Sequence, residues 1–309
     1  MSLTHTIKYL YYSIRYPNLG DYLDMGFGIS ARYSRASKYW AQHLHLCKEM
    51  NREALQGSQH GSLDGSNKDT CLTILGAGRL LDVDVEFIKR GGFKVRMIDA
   101  DPSVRSVWKA KFPNLTKPQA LTMDLTQCIE DWSTRLKDFI KKSSNEKENA
   151  EDSAAELVSF LYSLKPGQGH DLKIGDRSQI IFSQNILGQL GIYWRDRAYD
   201  LITKEIKPNS ALVESSGELL PNIKKALAHT IKLLELQHLG LLINSKADTI
   251  LILTDCLYHY YEKNNSNWQT DPALELGGYS ELKKVFNDSC YELTTDKSWL
   301  WHIAPQGIE

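Results

Sequence analysis

Cysteine is scarce in this chain of 309 residues: five, at 47, 71, 128, 256 and 290, odd in number, widely spaced and without a CxxC pair. That pattern excludes a disulfide frame and a zinc ribbon, and it reads as reduced thiols in a cytoplasmic protein. An excess of charge of either sign is also missing, with 37 Lys and Arg against 38 Asp and Glu. The balance gives no global electrostatic pull toward nucleic acid or an anionic membrane. No apolar run reaches the roughly 18 residues of a membrane span, and the opening MSLTHTIKYLYYSIRYP lacks the apolar stretch of a secretory signal. There is no GxxxxGK[ST] phosphate loop, no HExxH and no GxSxG elbow. What remains is an ordinary globular composition, 42% hydrophobic and 24% charged.

Two polar stretches divide the chain. Residues 56–69 (QGSQHGSLDGSNKD) read as a linker and 141–152 (KKSSNEKENAED) as an exposed charged insert. The domain expectation is an N-terminal helical cap over 1–56, a linker over 57–69, and one α/β domain over 70–309 with its insert at 141–156. In the cap, Tyr33, Ala36, Trp40, Leu44 and Cys47 recur at helical spacing, which predicts a helix over 30–55. Beyond the linker, strands are predicted at 71–75, 94–98, 120–123, 179–182 and 249–253, with helices at 80–90, 103–111 and 221–242. The tail reads helix 280–286, strand 290–293, strand 299–303, and the closing pair is too close in sequence for anything but an antiparallel hairpin. Short apolar strands separated by helices predict a parallel sheet covered on both faces.

The informative stretch is Thr73-Ile74-Leu75-Gly76-Ala77-Gly78-Arg79-Leu80, read as strand, glycine turn, helix. Glycines let a ligand approach the backbone, and a helix N-terminus offers it free N–H groups. The next strand ends in Asp99, 21 residues beyond Gly78. A carboxylate at about that distance, on the neighbouring strand tip, can accept both hydroxyls of a ribose. A dinucleotide fold wants a third glycine where this chain has Leu81. The expectation is therefore an adenosine-type ligand without a pyrophosphate.

On these residues the chain resembles the class I S-adenosylmethionine-dependent methyltransferases, with a bacterial flavour in the ARYSRASKYWAQHL helix that precedes GAGRLLDV. ILGAGRL looks like their first motif, MIDAD like the acidic end of their second strand, and TMDL (122–125) like the loop after their third. The resemblance covers about residues 70–304. It implies a Rossmann-like, doubly wound, mostly parallel seven-stranded sheet with an antiparallel C-terminal hairpin, and S-adenosyl-L-methionine as cofactor. It places Gly76, Ala77 and Gly78 under the methionine part, Asp99 and Ala100 at the ribose, and Asp124 and Leu125 at the adenine, with Ser183 counted among the cofactor residues. Asp124 reads equally as a helix N-cap.

Strand four ends in Ser183-Gln184-Asn185-Ile186-Leu187-Gly188-Gln189, which the resemblance sets beside the methyl group. There is no Pro-Pro-aromatic signature of exocyclic amine methylation. Ser183, Gln184 and Asn185 can orient a substrate by neutral hydrogen bonds, or cap the following helix. Methyl transfer needs alignment and, for a protonated nucleophile, a base. Tyr193, His238, Asp255 and His259 are the candidates. Asn185, Tyr193 and Asp255 form the expected catalytic set, and Gln184, Gln189 and His238 the substrate set. His43, His45 and Cys47 do not share one helical face and predict no metal site. Tyr11, Tyr12, Tyr16, Tyr22 and Tyr33 either form a lid or simply pack. The expected partner is a small or medium methyl acceptor, with no nucleic acid, no membrane, and a homodimer allowed. A nicotinamide-dependent oxidoreductase and a non-catalytic S-adenosylmethionine-binding module are the competing readings.

Overall fold

The structure is a computed structural model that describes residues 3–58, 69–146, 150–167, 178–205, 220–262, 267–277, 279–287, 289, 291–292 and 297–301. Five short strands form a parallel sheet: β1 (Cys71–Leu75), β2 (Lys94–Asp99), β3 (Ala120–Thr122), β4 (Ser178–Gln184) and β5 (Thr249–Leu253), in the order β3-β2-β1-β4-β5. Alternate residues of each strand face opposite sides. Leu75, Ile98 and Ile181 enter one core, while Ile74, Met97, Ile180 and Phe182 enter the other.

Helices α5 (Ile129–Glu146), α6 (Ala150–Ser163), α7 (Leu187–Glu205) and α8 (Pro221–Asn244) supply the first core. At its centre Trp132 and Trp194 meet edge to face at 5.2 Å, and the Trp194 indole N–H donates to Thr230 Oγ1 at 2.7 Å. Full burial of each such side chain stabilises the fold by about 2–3 kcal/mol. The second core joins the end of α2 (Gly20–Gly57) to α3 (Val85–Gly91) and α4 (Arg105–Lys111). The α2 helix follows α1 (Leu3–Arg15), and it is one continuous rod: its C-terminal half is core, through Cys47 and Leu55, and its N-terminal half lies over the carboxyl edge of the sheet. No described helix is long and apolar enough to cross a membrane.

Four expectations change. The sheet has five strands, not seven; the other pair, β6 (Leu257–Glu262) and β7 (Asn267–Pro272), forms a separate antiparallel ribbon. That ribbon was hidden in CLYHYYEK, an aromatic-rich run whose sequence shows no apolar–polar alternation. The expected closing hairpin is absent from its described residues: 291–292 and 299–301 lie outside any strand, after α9 (Tyr279–Asn287), and its remaining positions fall outside the described residues. The helix expected from Leu80 starts at Val85, because Leu80 takes a left-handed φ of 57° and Asp84 Oδ1 caps Phe87 N–H at 3.0 Å. Leu80 and Val83 are apolar because they are buried in the loop. Finally, the charged insert is largely helical, as the ends of α5 and α6, with 147–149 outside the described residues. Most of the linker, 59–68, also lies outside them.

Candidate functional site

Strand order reverses between β1 and β4, and the connections leave on opposite sides of the sheet there. Such a switch point opens a crevice at the carboxyl ends of the strands. Here it is a cavity of about 200 Å³, an order of magnitude more than the roughly 10–15 Å³ one water needs. Its walls come from four of the five strand tips: Gly76, Gly78, Arg79, Leu81 and Asp82 at β1; Asp99, Ala100 and Asp101 at β2; Met123, Asp124, Leu125 and Thr126 at β3; Gln184, Asn185, Ile186, Gln189 and Tyr193 at β4. The roof is α2, through Tyr22, Met25, Gly26, Ile29, Trp40 and His43.

The floor is the glycine turn. Gly76 has φ 64°, and a Cβ there would lie 2.9 Å from the Gln184 carbonyl oxygen and from Ile186 Cβ, so only glycine fits. Gly78 has φ 45° but open space beside it. Its N–H donates to Asp99 Oδ2 at 2.7 Å, while Asp101 N–H donates to Asp99 Oδ1 at 2.8 Å. Trp108 Nε1 donates to the Gly78 carbonyl at 2.7 Å and pins the turn from below. Each Asp99 oxygen keeps a lone pair for a ligand hydroxyl. Burial pushes the Asp99 carboxyl up to about 6, against the lowering effect of the two N–H donors. The expected helix N-terminus is not behind these glycines, so the turn's own N–H groups do its hydrogen bonding.

Asp124 accepts from Thr126 N–H at 2.9 Å and from the Thr126 hydroxyl at 2.6 Å, closing a turn before α5 rather than capping it directly. Burial raises its carboxyl. The Tyr22 hydroxyl is buried close to Asp124 without a hydrogen-bond partner, and the Tyr22 ring lies 4.2 Å from that of Tyr193. Tyr193 in turn donates to Asp21 Oδ2 at 3.0 Å, and Arg197 pairs with the same carboxylate. Tyr193 is thereby held against α2, and burial raises its hydroxyl above the ordinary range, which opposes a role as base.

Gln184 ends β4 with 2% of its surface exposed, and neither atom of its amide has a hydrogen-bond partner. Asn185 has a left-handed φ of 49°, a conformation asparagine tolerates. Its amide donates to Asp82 Oδ2 at 2.7 Å and ties the two switch-point loops together. Ser183 and His238 do not join them. Ser183 faces away from the cavity, and its hydroxyl lies 2.8 Å from His238 Nε2 on α8, both buried. Burial holds His238 down at about 4, and its Nδ1 has no partner to orient it. This Ser–His pair is a tie between β4 and α8, without access to a substrate. Ala77 is buried behind the turn, its N–H donating to the Ile98 carbonyl at 3.2 Å. Asp255, half-buried after β5, is outside the cavity wall, and His259 sits on the exposed ribbon stacked on Trp268 at 4.9 Å.

His43 and Cys47 come within 3.4 Å (Nε2 to Sγ), which suggests a nucleophile and its base. The electrostatics oppose it: burial lowers the imidazole to about 4 and raises the thiol, so both stay neutral. His43 Nδ1 also accepts from Trp299 Nε1 at 3.0 Å, and Trp301 stacks on the ring at 3.8 Å. Among the described residues no group of three or more His, Cys, Asp or Glu could hold a metal ion.

Of the tyrosines read as a lid or as packing, Tyr22 lies on the cavity wall, while sequence reasoning left out the carboxylates Asp82 and Asp101. One signal was available. Gly26 lies within α2 where a Cβ would sit 1.9 Å from Asp101 Oδ2, so the glycine marks where the helix presses on the β2 tip. Comparison of the chain with protein-family models, characterised proteins and solved structures returns no match.

Proposed function

We propose that the protein binds S-adenosylmethionine at the switch-point cavity and transfers its methyl group to a small or medium acceptor. The observation that supports this reading is the gathering of Gly76, Gly78, Asp99, Ala100, Asp124 and Leu125 around one cavity, with the Gly78 N–H bonded to Asp99. The strand order β3-β2-β1-β4-β5 fits five of the six strands of a Rossmann-like, doubly wound sheet. On this reading Asp99 takes the ribose hydroxyls, Asp124 the adenine amine, and the glycine turn the methionine chain. The cofactor would supply an electrophilic methyl group on a positively charged sulfur. The chain's task is then to exclude water under α2 and to align the acceptor. Leu81 lines the cavity where a pyrophosphate would need glycine, which disfavours a nicotinamide dinucleotide.

One observation favours a second reading, a binding module without turnover: the ring nitrogens of His43 and the hydroxyl of Tyr193 are already engaged, so neither is a free base. Calorimetric titration with S-adenosylmethionine, S-adenosylhomocysteine and NADP tests the assignment. The first two are expected to bind with Kd near micromolar, about −8 kcal/mol, and Asp99→Ala to weaken both at least about tenfold. Binding of NADP alone would overturn the reading. Label transfer from methyl-labelled donor into a cell extract then separates enzyme from module.

A further inference from the structure

Some of the buried polar atoms without partners lie at this cavity. Among the described residues, the Tyr22 hydroxyl, Arg79 Nε and both atoms of the Gln184 amide belong to its wall. Gln184 is the sharpest case, because its backbone cannot move away. Its carbonyl touches Gly76, and the residue pairs with Leu253 of β5. A buried amide with neither hydrogen bond made is costly, and an apolar side chain of the same length would avoid that cost. Nothing in the fold uses the amide, which leaves a ligand as its partner.

We infer that Gln184 selects a ligand with a neutral edge carrying a hydrogen-bond donor and acceptor side by side, such as a carboxamide, a lactam or the amidine edge of adenine. A carboxylate would satisfy Nε2 but turn its second oxygen on Oε1. An ammonium would satisfy Oε1 and face the NH2. Turning the amide over exchanges its two atoms and leaves the requirement unchanged. The surrounding charge disfavours anions as well: the wall carries Asp82, Asp99, Asp101 and Asp124, with Arg79 as its cation. With the adenine placed at Asp124 beyond β3, three strands from Gln184, the edge belongs to the acceptor; a donor edge at Gln184 would overturn that placement of the adenine. This assignment rests on the function proposed above; the requirement itself does not.

The test uses the full chain and four probes: benzamide, adenine, benzoate and benzylamine, titrated with and without saturating S-adenosylhomocysteine and read by ligand-observed NMR. Wild type is expected to bind benzamide or adenine and to reject the two charged probes. Gln184→Met should lose that binding by at least about tenfold while the free protein melts about 2 °C higher. Gln184→Leu, which likewise has neither donor nor acceptor, should lose the binding to the same degree. If Gln184→Met weakens S-adenosylhomocysteine itself, the edge is the donor's adenine and its placement at Asp124 is overturned. If it spares S-adenosylhomocysteine and loses benzamide, the edge is the acceptor's. Equal binding of a charged probe, or unchanged binding by Gln184→Met together with a lower melting temperature, would overturn the inference. Failure of wild type to bind S-adenosylhomocysteine, with benzamide or adenine recognition still lost in Gln184→Met, would sink the donor assignment and leave the selector role standing.

Discussion

Two strand-to-helix connections meet at the switch point, and they are built in opposite ways. The one after β1 takes nine residues, 76–84, before α3 begins; the one after β4 takes two, 185–186, before α7. The long turn uses its length for left-handed backbone at Gly76, Gly78 and Leu80, and its N–H groups bond to Asp99, Ile98 and Ala77. The short one uses a single left-handed residue, Asn185, and holds Gln184 fixed against Gly76. A long glycine turn yields a concave surface whose shape is set by backbone, whereas a tight turn yields side chains whose positions are set by the strand. The Asn185–Asp82 hydrogen bond at 2.7 Å couples the two.

The largest expected effect breaks that coupling directly. Gly76→Ala adds a Cβ against the Gln184 carbonyl and imposes a left-handed φ on alanine. Strain and overpacking together should cost about 2–4 kcal/mol, read as a lower denaturation midpoint with unchanged slope. Gly78→Ala has the same sign of φ but open space beside it. It should cost only about 1–2 kcal/mol. Equal losses at 76 and 78 would mean that close approach is not what distinguishes them.

Asp99 gives the next effect, and it depends on pH. Its carboxyl is held at about 6, above the ordinary 3.8 that the unfolded chain shows. The native state therefore binds this proton more tightly than the unfolded state. Its contribution to stability is fullest below pH 3.8 and is lost as pH rises through 6. Asp99→Asn should remove this slope, so that wild type gains on the variant as pH falls from 6 to 4, measured by urea melts. Ligand binding runs the other way, because accepting ribose hydroxyls needs the ionised carboxylate. Affinity for S-adenosylhomocysteine should be about tenfold weaker at pH 5 than above pH 7, and pH-independent affinity would remove Asp99 from the ribose.

The smallest effect is a control on the far side of the sheet. Ser183→Ala removes the bond to His238 and should cost about 1 kcal/mol of stability. Titration of the variant should return the wild-type affinity for S-adenosylhomocysteine, since Ser183 faces α8. A large loss would return Ser183 to the cofactor site.

The sheet was legible because its strands are short, apolar and bounded by Gly, Pro or Asp. CLTIL, QIIF and TILIL announce themselves, and so do the glycine turn and Asp99. The start of α3 was not legible, since Leu80 and Val83 are buried as loop residues and imitate a helix face. The ribbon was missed for a related reason: LYHYYE carries a ring at most of its positions, so its sequence shows no period of two. The division between Gln184 and Ser183 depends on which way each side chain leaves β4. That is a matter of register, and a one-residue shift exchanges the two. The α2 roof is a long-range contact, and of it the sequence offers the tyrosine cluster that includes Tyr22, which reads equally as packing, and the glycine at 26.

The most direct measurement is a crystal structure of the protein with S-adenosylhomocysteine. The account predicts ribose hydroxyls on the Asp99 carboxylate, the adenine beside Asp124 and Leu125, and the thioether over Gly76 and Gly78 under α2. A ligand bound elsewhere, or a dinucleotide seated with its pyrophosphate on the glycine turn past Leu81, would contradict it.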